Sequence, residues 1–342
     1  MFKPKYTISS ELLANIKKIS SLITQLNVRT YPHIILHKYE QKARDLSAHA
    51  STSIEGNPLA LTDVKALLKS RPENIRDTER EVLNYNNALI WLEKELKQSS
   101  SLSVTHEVIH KIHTLVMDNL MTQTQLQDYR NESVFINDPR EHKTVYWPPD
   151  QQDVKNLMKE LIEFIHHSQK DMDPLLVSGI FHKEFVIIHP YIDGNGRTVR
   201  LMTKALFASM GLNTFNLFSF ENYYNNNVTN YFKHVGERGN YYDIADVDFT
   251  PWLVYFTRGI IDELLRVSKE LDTEMITPQT VLADYEKEML AYIDTNGFIT
   301  DKIYSTLTKR AKATRNLDFQ RLISMRIIRM EGKGKATYYK RV

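Results

Sequence analysis

The 342-residue chain contains no cysteine. That absence excludes disulfides, thiolate nucleophiles and thiolate zinc sites. No apolar run approaches the ~20 residues that a bilayer-spanning helix needs, and the N-terminus shows no basic-then-apolar signal pattern. A cytoplasmic location with no membrane partner is the expectation that follows. What is present is ordinary for a soluble globular protein, with 42% hydrophobic and 25% charged residues in a length that suits one large domain and one small one. The formal net charge of +2 conceals an asymmetry: residues 301–342 hold twelve Lys/Arg against three Asp/Glu, a net of +9, which leaves −7 for the other 300. Two electrostatically different modules are implied.

Chemistry concentrates in His189-Pro190-Tyr191-Ile192-Asp193-Gly194-Asn195-Gly196-Arg197-Thr198-Val199-Arg200. His189 is a candidate general base and Asp193 a candidate metal ligand. Glycines on both sides of Asn195 let successive backbone N–H groups converge on an anion, and the helical pattern over 198–210 would set that turn at a helix N-terminus, where the dipole favours negative charge. Arg197 and Arg200, three residues apart on the first turn, could reach phosphate oxygens with forked guanidinium groups. A single Gly-x-Gly is more often a plain turn, and a lone His-Pro a plain helix stop. The convergence of acid, base, anion nest and two cations within twelve residues points instead to a site that handles phosphate.

This segment resembles the signature of the Fic domain family, His-Pro-Phe-x-Asp/Glu-Gly-Asn-Gly-Arg-x-x-Arg, with Tyr191 in place of the usual phenylalanine. Further matches extend the resemblance over roughly residues 10–265. One of them lies upstream. Gly56 and Pro58 end a helix just after Glu55, so a carboxylate stands at the negative end of a helix dipole, which is unfavourable by a few tenths to about 1 kcal/mol unless a cation receives it. Read alone, Glu55 could equally face solvent. Ser51-x-x-x-Glu55-Gly56 resembles the inhibitory motif of one Fic class, which implies that Glu55 pairs with Arg200 in the place of a nucleotide γ-phosphate.

Along the chain, apolar residues recur at helical spacing over 9–26, with Ser10 as the expected cap; a second helix runs from about residue 31 into the forties. Two more follow within 60–98, one after a Thr62 cap and one over 78–97. Helix 105–120 carries His106, His110 and His113 on one face, without a carboxylate at the spacing that would complete a metal site. Ser133–Ile136 and Thr144–Trp147 read as strands of a hairpin. By resemblance it is the Fic flap, bracketed by Tyr129-Arg130 and Tyr146-Trp147-Pro148-Pro149, on which a target protein would dock along 131–147 by strand addition. Helices over 150–167 and 174–188 lead to His189. The aromatic residues of 222–235 suit a core, while the resemblance implies that Tyr231, with Asn240 beyond it, lies near an adenine. A helix from Asp248 to about residue 269 closes this part. Helices over about 279–294, from Thr300 and over 313–325, then strands over 326–330 and 335–340 about Gly332-Lys333-Gly334, resemble a winged helix-turn-helix whose +9 charge suits phosphate backbones or a protein surface equally.

The expected fold is mainly α: a Fic-type helical bundle with a small β-hairpin flap and a winged-helix domain, divided as 1–100 (N-terminal helices with the inhibitory motif), 101–270 (catalytic core) and 278–342. The resemblance implies transfer of AMP from ATP, with Mg²⁺ held by Asp193, to a protein Ser, Thr or Tyr hydroxyl. His189 would be the base, Gly194, Asn195 and Gly196 the α-phosphate cradle, Arg197 the β-phosphate ligand and Arg200 the γ-phosphate ligand, autoinhibited by Ser51, Glu55 and Gly56. Three other functions stay open: a DNA-binding regulator with a nucleotide-sensing Fic domain, a hydrolase that removes AMP through the same site, and use of another phosphate-containing donor. Self-modification and a homodimer stay open as well.

Overall fold

Apolar residues at helical spacing along most of the chain give a structure built from helices. The computed structural model describes residues 2–28, 31, 33–98, 102–138, 143–168, 170–209, 219–244, 247–275, 282–325, 327–332 and 334–341, and among these lie fourteen α-helices and five short strands. No helix among the described residues is long and apolar enough to cross a membrane. In chain order the first elements are α1 (Ser10–Val28), α2 (His33–Ile54), α3 (Leu61–Ser70), α4 (Asp77–Gln98), α5 (His106–Val116), β1 (Ile136–Asp138), β2 (Lys143–Trp147) and α6 (Gln151–Ser168). There follow α7 (Pro174–Ile188), α8 (Asn195–Ser209), α9 (Phe220–Asn226), α10 (Val228–Val235), β3 (Gly239–Asn240) and α11 (Thr250–Met275), then α12 (Asp284–Asn296), α13 (Asp301–Leu307), α14 (Lys312–Ser324), β4 (Ile328–Glu331) and β5 (Tyr338–Arg341). Residues 1–26 and 42–265 form one compact unit, and residues 27–41 and 266–342 another.

Within the larger unit α7 is the central helix. From Leu175 to Ile188 only Val186 escapes burial, and the buried set includes Ser178, His182, Lys183 and Glu184 as well as the apolar residues. Asp173 caps it by accepting from Leu175 N at 2.8 Å, and Pro174 at its first position needs no N–H partner. At Gly179 a Cβ would stand 2.7 Å from Leu253 Cδ2, so the missing side chain is what lets α11 pack closely.

Several boundaries differ from the sequence expectation for local reasons. The cap of α1 is Ser9, whose Oγ accepts from Leu12 N at 3.2 Å, and Ser10 is the first helical residue. Thr62 lies inside α3, which starts at Leu61 without a side-chain cap. Strand β1 begins at Ile136 instead of Ser133, because the preceding stretch is tethered elsewhere: Glu132 O accepts from Arg130 Nη1 and Ser133 Oγ donates to Gln151 Oε1. It pairs antiparallel with β2, and β2 pairs parallel with β3. The signature helix starts at Asn195, three residues earlier than its apolar pattern, and the aromatic stretch divides into α9 and α10 at Asn227.

In the smaller unit, Thr300 caps α13 by accepting from Ile303 N at 3.2 Å. Strands β4 and β5 form an antiparallel hairpin, and Ile299 exchanges both backbone hydrogen bonds with Tyr339 on the other edge of β5. The core gathers Met289, Ile293, Tyr304, Leu322 and Ile328 around Phe319, which stacks on Tyr339 with ring centroids 3.9 Å apart. Helix α12 begins at Asp284; the expected start near residue 279 lies outside the described residues.

Candidate active site

Helix α7 stops at His189, which adopts φ 51° and ψ 62°, while its N–H still donates to Phe185 O at 3.0 Å. Pro190 then prevents continuation. The ring Nδ1 lies 3.3 Å from Val186 O. A carbonyl can only accept, so Nδ1 carries the proton and Nε2 keeps a lone pair. Burial pushes the imidazole down to about 4, against the opposing pull of Val186 O, Glu55 and Asp193. The ring is therefore uncharged at neutral pH. Carbonyls that the helix end leaves over are taken by side chains from the hairpin region: Tyr146 OH donates to Ile187 O at 2.9 Å and Arg130 Nε to His189 O at 2.8 Å.

The following loop is closed on itself. Asn195 Oδ1 accepts from Tyr191 N at 2.9 Å and its Nδ2 donates to Tyr191 O at 2.8 Å, so this side chain braces the loop rather than facing out of it. Tyr191 stacks on His113 with centroids 3.6 Å apart, and His113 Nε2 lies 2.9 Å from Asp193 O. Burial pushes His113 down to about 4, which keeps it an uncharged donor to that carbonyl. Gly194 has φ +79°, and a Cβ there would lie 2.6 Å from Met117 Sδ. Only glycine lets the loop approach α5 this closely in this conformation. Because α8 begins at Asn195, the N–H groups of 195–197 are first-turn donors without intrahelical acceptors. The Asp193 carboxylate accepts from Gly194 N.

Both arginines carry protein carboxylates. Arg200 is fully buried; its Nε donates to Ser51 Oγ at 2.7 Å, and its Nη2 donates to Ser51 O at 2.7 Å and to Glu55 Oε1 at 2.8 Å. Burial opposes its charge, yet Glu55 and the hydroxyls of Tyr231 and Tyr85 hold it well above the usual arginine range. Arg197 donates from Nη2 to both Asp193 oxygens at 3.2 Å, and its Nη1 lies 3.4 Å from Glu81 Oε1. Its buried Nε has no hydrogen-bond partner among the described residues. Glu55 is delivered by a tight turn in which Gly56, at φ +96°, donates to Ser53 O at 3.0 Å and Asn57 N donates to Thr52 O at 3.1 Å. The Asn57 side chain ties that turn to α4 through Thr78 O and Glu81 Oε2, both at 2.7 Å. A Cβ on Gly196 would collide with the Glu55 carboxylate.

Helices α2 and α8 meet along a polar seam. Ser47 accepts from Lys204 Nζ at 3.1 Å, one helical turn from the Ser51–Arg200 contact. Beneath it the fully buried Glu221 lies 3.2 Å from Lys204 Nζ and accepts from Ser47, Ser219 and Tyr85 hydroxyls.

Of the residues expected near a base, Tyr231 is 1% exposed, with its hydroxyl 3.0 Å from His182 Nε2 and 3.5 Å from Arg200 Nη1. In this arrangement it reaches the site through Arg200. Asn240 is exposed on β3 and accepts from Tyr242 N at 2.9 Å. His106 faces Tyr129 OH at 2.7 Å while His113 serves the Asp193 loop, so two members of the histidine stripe have separate partners. Sequence reasoning did not anticipate the parts played by His113, Glu81, Asn57 and Met117. For His113 the helical spacing with His106 and His110 was a signal; for the others no local pattern marks them.

Residues 103–207, from just before α5 through most of α8, match the model of the Fic/DOC family. Protein adenylyltransferase Fic of Nematostella vectensis is 28% identical over 165 residues, which is 47% of this chain and 36% of that protein. Its counterpart in Drosophila grimshawi is 26% identical over 180 residues, 52% of this chain and 35% of that protein. The chain thus spans little more than a third of the length of these relatives. A Fic family protein from Desulfovibrio desulfuricans G20 shares the fold over 100% of this chain and 98% of its own, with TM-score 0.66 and 20% identity. Fic-1 from C. elegans (aa134–508) does so over 78% and 74%, with TM-score 0.59 and 19% identity.

Proposed function

We propose that the protein is an adenylyltransferase that moves AMP from ATP to a Ser, Thr or Tyr hydroxyl of a protein, and that Glu55 holds it inactive. One observation carries the reading: an uncharged imidazole with a free Nε2 stands beside a helix N-terminus and two buried arginines whose anion positions are taken by the chain's own carboxylates.

His189 Nε2 would take the proton of the incoming hydroxyl as its oxygen bonds to the α-phosphorus and the bond to pyrophosphate breaks. The N–H groups of Asn195 and Gly196, joined by that of Gly194 once it leaves the Asp193 carboxylate, would receive the charge that develops on the α-phosphate. Arg197, with its unpartnered buried Nε, would hold the β-phosphate. Arg200 would take the γ-phosphate once Glu55 has left it. Asp193, whose side chain is 62% exposed, is the carboxylate that would hold Mg²⁺; one carboxylate, completed by phosphate oxygens and water, suits this hard octahedral ion. When bound, the ion neutralises phosphate charge.

The hairpin β1–β2 would be the flap that receives the target, a role supported by its link through Tyr146 to the turn of His189. The C-terminal helices and hairpin read as a winged helix. Six of its basic side chains, Arg310, Arg315, Arg321, Arg329, Lys340 and Arg341, are ion-paired with Asp318, Asp301, Glu286, Glu331 and Asp294. This favours contact with a protein over contact with DNA.

Mass spectrometry after incubation with ATP and Mg²⁺ tests the reading. The Glu55→Gly chain should gain one AMP where the wild type gains little, and adding His189→Ala should abolish the gain while ATP still binds. No gain in the Glu55→Gly chain overturns transfer, and release of AMP from a modified target would assign the site to removal instead.

A further inference from the structure

Arg130 lies 59 residues before His189 and is 4% exposed. Its bonds go to backbone oxygens in two places. At the end of α7, its N–H donates to Pro190 O at 2.9 Å, its Nε donates to His189 O at 2.8 Å, and its Nη2 lies 3.5 Å from Ile188 O. At the hairpin, Nη1 donates to Glu132 O at 3.0 Å, just ahead of β1, and Nη2 to Pro149 O, just beyond β2. One planar fork therefore joins both roots of the hairpin to the corner that presents the histidine.

The physical need for such a brace is visible in the corner itself. His189 holds a left-handed conformation at φ 51° without being glycine, which is strained for an L side chain and persists only where the surroundings impose it. A cation at the negative end of α7, bonded to carbonyls the helix leaves unpaired, supplies that constraint. A lysine at this position would keep the charge but not the fork.

We propose that Arg130 is a positioning residue, setting the distance and angle between the His189 imidazole and whatever chain lies along the hairpin. The hydroxyl and the base that accepts its proton are thereby placed by the same guanidinium. The inference rests on the transferase reading for its reaction, but its geometry does not.

The test compares Arg130→Lys and Arg130→Ala in the Glu55→Gly chain. Because a misplacement of about 1 Å costs on the order of 100-fold, kcat for AMP transfer should fall by about that factor in both, while the Kd for ATP, measured by calorimetry, stays within about threefold. Guanidinium chloride at low concentration should restore part of the rate to Arg130→Ala and none to Arg130→Lys. The His189 imidazole ¹⁵N resonances should move in Arg130→Lys. Unchanged kcat with unmoved resonances overturns the proposal, and so does parallel loss of rate and ATP affinity without guanidinium rescue. Should the Glu55→Gly parent transfer no AMP, the transferase reading falls, and the His189 resonances still decide the part played by Arg130.

Discussion

At the scale of single residues, the proposed base chemistry turns on the protonation of His189. Its value of about 4, against an ordinary 6.5, places the uncharged ring across the whole neutral range. The acid limb of kcat/KM for AMP transfer by the Glu55→Gly chain should accordingly fall between pH 4 and 5; a limb at 6.5 would show that the ring is solvated during turnover. The same depression makes this histidine a stability group: folding is favoured fully above 6.5 and loses that contribution as pH falls toward 4. His113 acts in the same direction. The residues legible in the sequence, His189, Asp193, Arg197, Arg200 and Glu55, are those whose side chains the proposed function assigns to the chemistry. Arg130 and His113 do their work through backbone oxygens 59 and 80 residues away, and Glu81 meets Arg197 across the fold. Periodicity encodes which face a residue lies on, not which distant carbonyl it will meet.

At the scale of elements, α2 and α8 run past one another so that residues 47 and 51 meet 204 and 200, four apart in opposite directions. Glu55 continues that series to Gly196. Each step is one helical turn, which is why a helix with serines at this spacing can carry a carboxylate to the start of another helix. Lys204→Met should leave Glu221 buried without its cation and cost about 3–5 kcal/mol in urea unfolding, much of it recovered by adding Glu221→Gln. Strictly additive losses would show that the two side chains are not coupled. Helix existence was legible from apolar spacing, whereas ends were not: Ser9 displaces Ser10 as cap of α1, and β1 starts late because Arg130 and Gln151 hold its approach. Caps and tethers are decided by single hydrogen bonds, which leave little trace in a hydrophobic pattern.

At the scale of the molecule, charge counting and charge placement give different answers. The net of +9 over residues 301–342 invites a nucleic-acid partner, yet among the described residues six of the twelve cations there are committed to acids, two of which, Glu286 and Asp294, lie upstream of that window. With at most six left for phosphate, binding of random duplex DNA, followed by anisotropy, should show a slope of log K against log salt no steeper than about −5; a slope near about −8 would mean that the pairs open on contact. The mainly helical class was readable from composition and spacing, but the pairing that neutralises this basic segment depended on α12, α13 and the hairpin coming together.

The carboxylate on Arg200 also gives the proposed inhibition a measurable weight. Glu55 holds this guanidinium at 2.8 Å, so under the proposed function a nucleotide γ-phosphate would compete with a tethered rival whose effective concentration is fixed by the fold. An equilibrium ten to one in favour of the closed pair lowers apparent ATP affinity about tenfold, an energy of about 1.4 kcal/mol. Under that proposal the ratio of ATP affinities without and with Glu55 would equal one plus the closing constant, and a rise in ATP alone would shift the population toward the open form.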